Sequence, residues 1–181
     1  KPLNPYGESK KRTEKYLQDN TNRFKFIILR YFNVAGADPG LRTGLVTKQA
    51  SHLIKIVSEV ASKKRDKVVI FGNNYNTPDG TAIRDYIHVS DLSDIHLRSL
   101  DYLLKTKESN VFNCGYGKGY SVKEVIDAAN MITSNVIKYE YGKSRKGDSE
   151  TLVADVSKLK KYIDWTPSYN NLNIIIKTAI A

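Results

Sequence analysis

The hydrophobic pattern changes period several times along the chain, and each change marks an element. Residues 6–20 read as a helix that ends at the polar run Asp19-Asn20-Thr21-Asn22. Phe24 to Phe32 is an apolar run centred on Ile27, Ile28 and Leu29, the pattern of a buried strand. Val34 to Gly44 carries Gly36, Pro39, Gly40 and Gly44 and reads as loop. Leu53, Ile56, Val57, Val60 and Ala61 recur at helical spacing through about Ser62. Val68 to Phe71 reads as a short strand, followed by a polar excursion from Gly72 to Gly80.

In the second half, Ile83 to Val89 is extended, and Ser90 or Asp91 can cap a helix with Leu92, Ile95, Leu100 and Leu103 on its inner face. Val111 to Cys114 is another buried strand. Ser121-Val122-Lys123-Glu124 has the form of a capping box, opening an amphipathic helix to about Thr133. Ile137 to Tyr141 reads as a strand. Two short helices follow, around 156–163 and 171–180, separated by Trp165-Thr166-Pro167. Strands alternating with helices predict an α/β class with at least part of a parallel sheet.

Composition narrows the function classes. With 181 residues there is enough chain for one well-packed domain or a large piece of a bigger one. No run of about eighteen apolar residues exists, so no membrane helix is expected, and the first residues lack the apolar core of a secretory signal. Cys114 is the only cysteine, which excludes an internal disulfide and suits a reducing, cytoplasmic setting. Within Val111-Phe112-Asn113-Cys114 it reads as a small buried residue. The net charge of +10 invites a nucleic-acid reading. However, the basic residues are dispersed and several share helices with acids, as Glu8 and Glu14 do, so no nucleic-acid partner is expected. His88 and His96 have no Cys or carboxylate at metal-ligand spacing and read as structural; no metal is expected.

The chemistry begins with Tyr6-Gly7-Glu8-Ser9-Lys10. On a helix, side chains four apart share a face. A free phenol titrates near 10, and a neighbouring ammonium favours its ionised form. Such a phenol can take a proton from a hydroxyl and return it. The spacing alone is common among exposed helix starts.

Context makes it specific. Asn4-Pro5-Tyr6-Gly7-Glu8-Ser9-Lys10 and Leu29-Arg30-Tyr31-Phe32-Asn33 resemble the extended short-chain dehydrogenase/reductase family. Further stretches resemble its UDP-glucose 4-epimerase branch: Val69-Ile70-Phe71-Gly72, Asp79-Gly80-Thr81-Ala82-Ile83-Arg84-Asp85-Tyr86-Ile87-His88-Val89, Asn113-Cys114-Gly115-Tyr116-Gly117 and Arg145-Lys146-Gly147-Asp148. They occur in the family's order, from the first residues to about Pro167.

The resemblance implies roles. Tyr6 would be the acid/base on the sugar 4-hydroxyl, and Lys10 would hold the nicotinamide ribose of NAD and favour the ionised phenol. Phe32 lies where the family's backbone meets NAD. Asn33, His52 and Leu53 match positions lining the UDP-sugar site, with His52 replacing the Asn common there. Val69, Ile70 and Phe71 match the edge that receives uracil. Arg84 and Arg145 match the arginines that neutralise the diphosphate, a task that suits a planar, permanently charged fork. Asp148 matches an acid that binds ribose hydroxyls. Leu152 stands where a bulky Tyr in some members restricts the pocket, so N-acetylated sugars would fit. Plainer readings stand beside these: Arg84 and Asp85 as a surface pair, Phe71 as core, His52 as a core histidine.

The implied fold is the carboxy-terminal part of an extended Rossmann-type dehydrogenase/reductase, with a small α/β substrate domain. Residues 1–33 would end the NAD-binding domain, and 34–181 would be mainly substrate domain, with 111–114 returning to the Rossmann sheet. The helix of Tyr6 and Lys10 also packs dimers in the family, so a homodimer is expected. The implied activity interconverts UDP-glucose and UDP-galactose through a 4-keto sugar. The alternatives are a dehydratase or decarboxylase of the same family, or a non-catalytic UDP-sugar-binding fragment. The family's glycine-rich loop and assisting Ser or Thr would precede Lys1. Gly115-Tyr116-Gly117-Lys118-Gly119 reads as a sheet-end loop rather than a substitute. Residues 1–181 alone are therefore expected not to turn over substrate.

Overall fold

The computed structural model describes residues 2, 5–47 and 49–181. Asn4, which opens the Tyr6 motif, lies outside the described residues. In chain order the elements are α1 (Pro5–Asp19), β1 (Ile27–Tyr31), β2 (Asn33–Ala35), α2 (Leu53–Ala61), β3 (Val68–Phe71), β4 (Ile83–His88) and α3 (Val89–Thr106). They continue with β5 (Asn110–Cys114), β6 (Gly119–Ser121), α4 (Val122–Thr133), β7 (Tyr139–Gly142), β8 (Thr151–Leu152), α5 (Ser157–Tyr162) and α6 (Leu172–Ile180).

Three sheets organise these elements. β1 and β5 pair in parallel, from Ile27 opposite Asn110 to Tyr31 opposite Cys114. β4 is the hub of the second sheet. Its Tyr86 to His88 pair in parallel with β2, while Ile83 to Asp85 pair antiparallel with β6, and Ile83 and Arg84 pair in parallel with β8. β3 and β7 form a third, parallel pair. α2, α4 and α6 pack on one another, and their apolar stripes fill the core with Val57, Ile126, Ile175 and Ile176, all fully buried. Burying each such side chain contributes about 1.5–3 kcal/mol.

Local chemistry explains the helix starts. Ser121 accepts from Glu124 N–H while the Glu124 carboxylate accepts from Ser121 N–H, a complete capping box. Asn171 caps α6 through Asn173 and Ile174 N–H. The start of α3 differs from expectation. Its cap is His88, whose Nδ1 accepts from Ser90 N–H at 3.1 Å, because the Asp91 carboxylate is committed to the Tyr116 hydroxyl and to the N–H groups of Ser168 and Tyr169.

Other departures have similar causes. Leu100 does not belong to the inner face of α3; it is exposed, and Ser99 is buried beside it. The segment expected to be loop from Val34 begins as a strand, because β2 finds a partner in β4. β6 and β8 were not expected at all. The strand expected over Ile137 to Tyr141 lies over Tyr139–Gly142, while Ile137 is a buried core residue whose N–H donates to the Asn130 side chain. Cys114 is buried as expected, and desolvation pushes its thiol up to about 12.

Candidate active site

Tyr6 and Lys10 sit in the first turns of α1 with the Lys10 ammonium 5.2 Å from the Tyr6 ring centre. Both are exposed, Tyr6 by 71 %. No side chain of α1 is buried. The helix is tied to the sheet by Glu14, which receives Arg30 Nε at 2.7 Å and Arg30 Nη2 on its other oxygen. That ion pair holds the Glu14 carboxyl below its usual range. On the opposite face of β1, the Tyr31 hydroxyl meets His96 Nε2 at 2.7 Å, and His96 Nδ1 lies 2.7 Å from Leu92 O. His96 is thus structural, as expected.

β1 runs on to Phe32, whose N–H donates to Cys114 O at 3.0 Å, and Asn33 opens β2. Phe32 therefore lies at the carboxyl end of a parallel strand pair, where open α/β sheets receive their ligands. An exposed phenol and ammonium on one helix face, with a partly buried aromatic at a strand's carboxyl end, suit a ribose hydroxyl and a flat ring. These residues fit the nicotinamide-ribose end of a dinucleotide.

A cavity of about 840 Å³ is lined by Asn33, His52, Leu53, Tyr86 and Thr178 together with the loop from Gly36 to Val46. Three of the expected substrate residues thus meet in one place. His52 occupies the cap position of α2 without making a cap hydrogen bond, and its side chain is exposed, which overturns the core-histidine reading. Tyr86, to which the sequence reading gave no role, is buried, and desolvation raises its phenol far above the ordinary value. Asp38 folds the loop by accepting from Arg42 N–H, Nε and Nη2, and the guanidinium holds its carboxyl well below the usual range.

A second group lies on β3 and β7. The Arg145 guanidinium stacks 3.7 Å above the Phe71 ring centre. Phe71 is 36 % exposed and is not simple core. Ile70 faces the core and Val69 is half-buried, so of this stretch only Phe71 offers an open side chain. Asp148 N–H donates to Arg145 O at 3.2 Å, closing a turn that Gly147 enters with φ +85°.

A third group lies on the β4–β8 pair, where Arg84 is opposite Leu152. Arg84 Nη1 donates to Ile83 O at 2.8 Å and to Glu150 O at 3.4 Å. Arg84 and Asp85 are not a surface pair. Asp85 is fully buried and accepts from the N–H groups of Tyr116, Gly117 and Ala154. That carboxylate takes two donors of the Gly115–Gly119 loop, Tyr116 N–H and Gly117 N–H, and puts a buried negative charge beneath it, which disfavours a phosphate there. Tyr6, Lys10, Phe32, Val69, Ile70, Phe71, Arg84, Arg145, Asp148 and Leu152 do not line the large cavity. Among the described residues no cluster of His, Cys, Asp and Glu could hold a metal ion, and no helix is long and apolar enough to cross a membrane.

A sequence profile of the NAD dependent epimerase/dehydratase family matches residues 1–115. The chain belongs to that family. It is 43 % identical over 182 residues to a UDP-glucose 4-epimerase of Azospirillum brasilense, covering 99 % of this chain and 52 % of that protein. Among solved structures, the UDP-glucose 4-epimerase of Bifidobacterium longum in complex with NAD+ and UDP superposes with a TM-score of 0.92. Its identity is 35 %, over 99 % of this chain and 54 % of that one. The UDP-Glc/GlcNAc 4-epimerase of Campylobacter jejuni superposes at 0.79 with 49 % identity, over 99 % of this chain and 55 % of that one. The α/β class expected from the sequence holds, with a Rossmann-type epimerase fold. The chain spans about half the length of the curated relatives it matches.

Proposed function

We propose that the protein containing this chain is an NAD-dependent epimerase that inverts C4 of a UDP-hexose, interconverting UDP-glucose and UDP-galactose. The observation that carries this reading is the likeness to UDP-glucose 4-epimerases along essentially the whole chain, in sequence and in backbone alike. The domain division follows: residues 1–33 and 111–114 serve the dinucleotide domain, and the remainder mainly serves the substrate domain.

In this reading Tyr6 takes the proton of the sugar 4-hydroxyl and later returns it, while Lys10 orients the nicotinamide ribose. NAD, when bound, supplies the acceptor and donor of hydride at C4. Phe32 positions the flat ring, and Asn33, His52 and Leu53 hold the substrate in the large cavity. Arg84 and Arg145 neutralise the diphosphate, Phe71 borders the uracil, and Asp148 takes ribose hydroxyls. A tightly held nucleotide with a loosely held hexose lets the 4-keto sugar turn and present its other face. A homodimer through α1 and a cytoplasmic setting complete the proposal, the first supported by a helix with no buried side chain.

Leu152, 48 % exposed, supports a second substrate class, the N-acetylated UDP-hexoses, and so does the likeness to the Campylobacter jejuni enzyme. The test is turnover of UDP-galactose and of UDP-N-acetylglucosamine by the intact protein with NAD. C4 inversion of UDP-galactose supports the reading. Formation of a dehydrated or decarboxylated sugar instead, or binding of UDP without turnover, overturns it.

A further inference from the structure

His88 is fully buried and does not itself line the cavity, but it touches two residues that do, Gly36 and Thr178. Its imidazole joins three elements. Nδ1 accepts from Ser90 N–H at 3.1 Å, at the start of α3. Nε2 lies 3.0 Å from Thr178 Oγ1, on α6. The Tyr169 ring stacks on it with centres 4.4 Å apart. Because Ser90 N–H needs an acceptor, Nδ1 carries no proton and the neutral ring bears its hydrogen on Nε2.

Thr178 Oγ1 passes the connection to the cavity wall. It accepts from His88 Nε2–H and from Ala37 N–H at 3.3 Å, and donates to Ile174 O or Ile175 O, each at 3.1 Å. A hydroxyl has one donor and two acceptor sites, so all are used. Gly36 crosses directly over the ring with φ +77°, where a Cβ would stand 2.5 Å from His88 Cδ2 and 2.9 Å from Thr178 Oγ1. Only glycine fits such a crossing. The loop that begins here, from Gly36 to Val46, is one side of the cavity that holds Asn33, His52 and Leu53.

We propose that neutral His88 is a positioning residue for ligand binding, acting through Thr178 to fix Gly36 and Ala37 and so set the wall of the cavity. The inference rests on the reading of that cavity as part of the UDP-sugar site. A second proton on the ring would set Nδ1–H against Ser90 N–H, two donors facing each other. The ring must then leave its place, and the hold on Thr178 goes with it. The groups facing it are Asp91 from α3, the Tyr116 hydroxyl that accepts from His88 N–H, and Tyr169 and Thr178. Asp91 favours the proton, but desolvation outweighs it and lowers the imidazole pKa. The neutral form therefore persists into and below the ordinary histidine range, and the arrangement is lost only as pH falls below about 6.5.

Two variants separate this role from mere capping. His88→Asn keeps an acceptor for Ser90 N–H but cannot reach Thr178. Thr178→Val keeps the size and removes the hydroxyl that receives both donors. UDP-glucose is the probe, because its diphosphate does not titrate in this range, and His52 is retained in every variant. In the intact protein each variant is expected to weaken UDP-glucose binding about tenfold at pH 7.5. Wild-type affinity should fall below pH 6.5 more steeply than that of His88→Asn. Independently of any ligand, Thr178→Val should speed exchange of the Ala37 amide hydrogen about tenfold. Unchanged affinity, pH profile and Ala37 exchange in both variants would overturn the proposal. Absence of UDP-glucose binding by the wild type would instead sink the assignment of the cavity, leaving the Ala37 exchange to decide the role of His88.

Discussion

The Glu14 carboxylate clasps the Arg30 guanidinium with both oxygens, and so ties the helix of Tyr6 and Lys10 to the strand that leads into Phe32 and Asn33. A two-point pair fixes orientation as well as distance, because the planar fork meets both carboxylate oxygens. Arg30 is half exposed, so the stabilisation is modest, about 0.5–1 kcal/mol.

For Glu14→Gln, that amount should be lost in chemical denaturation at pH 7. The folded carboxyl has a lowered pKa, so the wild-type advantage is present above the ordinary carboxylate range and fades as pH falls through it. In the intact protein, turnover should drop more than UDP affinity, because the pair orients the proton-transfer helix. An equal loss in both would contradict that role.

Asp85 is the larger liability. Asp85→Ala leaves the N–H groups of Tyr116 and Ala154 buried without an acceptor, at roughly 1–3 kcal/mol each, and also removes the partner of the part-buried Gly117 N–H. The expected loss is about 3 kcal/mol or more, read from urea denaturation. A loss below about 1 kcal/mol would mean that water or another acceptor replaces the carboxylate.

Arg145 and Phe71 form one stacked unit at the proposed nucleotide edge. Arg145→Lys keeps the charge but loses the flat stack on the ring. Calorimetry with UDP should show affinity reduced by about three- to thirtyfold, and Phe71→Leu should reduce the effect of the Arg145 change. Fully additive losses would show that the two act independently.

Leu152→Tyr tests the size of the sugar end. The ratio of UDP-N-acetylglucosamine to UDP-glucose turnover should fall about a hundredfold, within the range that steric fit supplies. An unchanged ratio would show that Leu152 does not border the acetyl group.

The helices were legible because each carried a period or a cap that needs no tertiary knowledge. The Ser121 box and the Leu53-to-Ala61 stripe are examples. β2, β6 and β8 have two or three residues each; nothing so short has a period, and only β4 beside them makes them strands. The cap at His88 was hidden because two better capping residues follow it, one already committed to Tyr116. Asp85 looked like a partner for Arg84 because adjacency in sequence suggests a pair, whereas its burial depends on loops about thirty and seventy residues away. Tyr6 and Lys10 were legible only as part of a longer motif, since the phenol–ammonium spacing carries little information alone.

The β1–β5 pairing has a consequence for the order of assembly. Phe26 N–H and Ser109 Oγ, which open that pairing, are 83 residues apart, and β2, β3 and β4 lie between them. Closing so long a span precedes any gain from the parallel ladder, which slows folding. The strand that delivers Phe32 is therefore expected to gain amide protection after the intervening helix α3, whose backbone hydrogen bonds are local, in pulse-labelling experiments. The edge at Phe32 would then take shape only once two distant stretches of the chain have met, however early the helix between them forms.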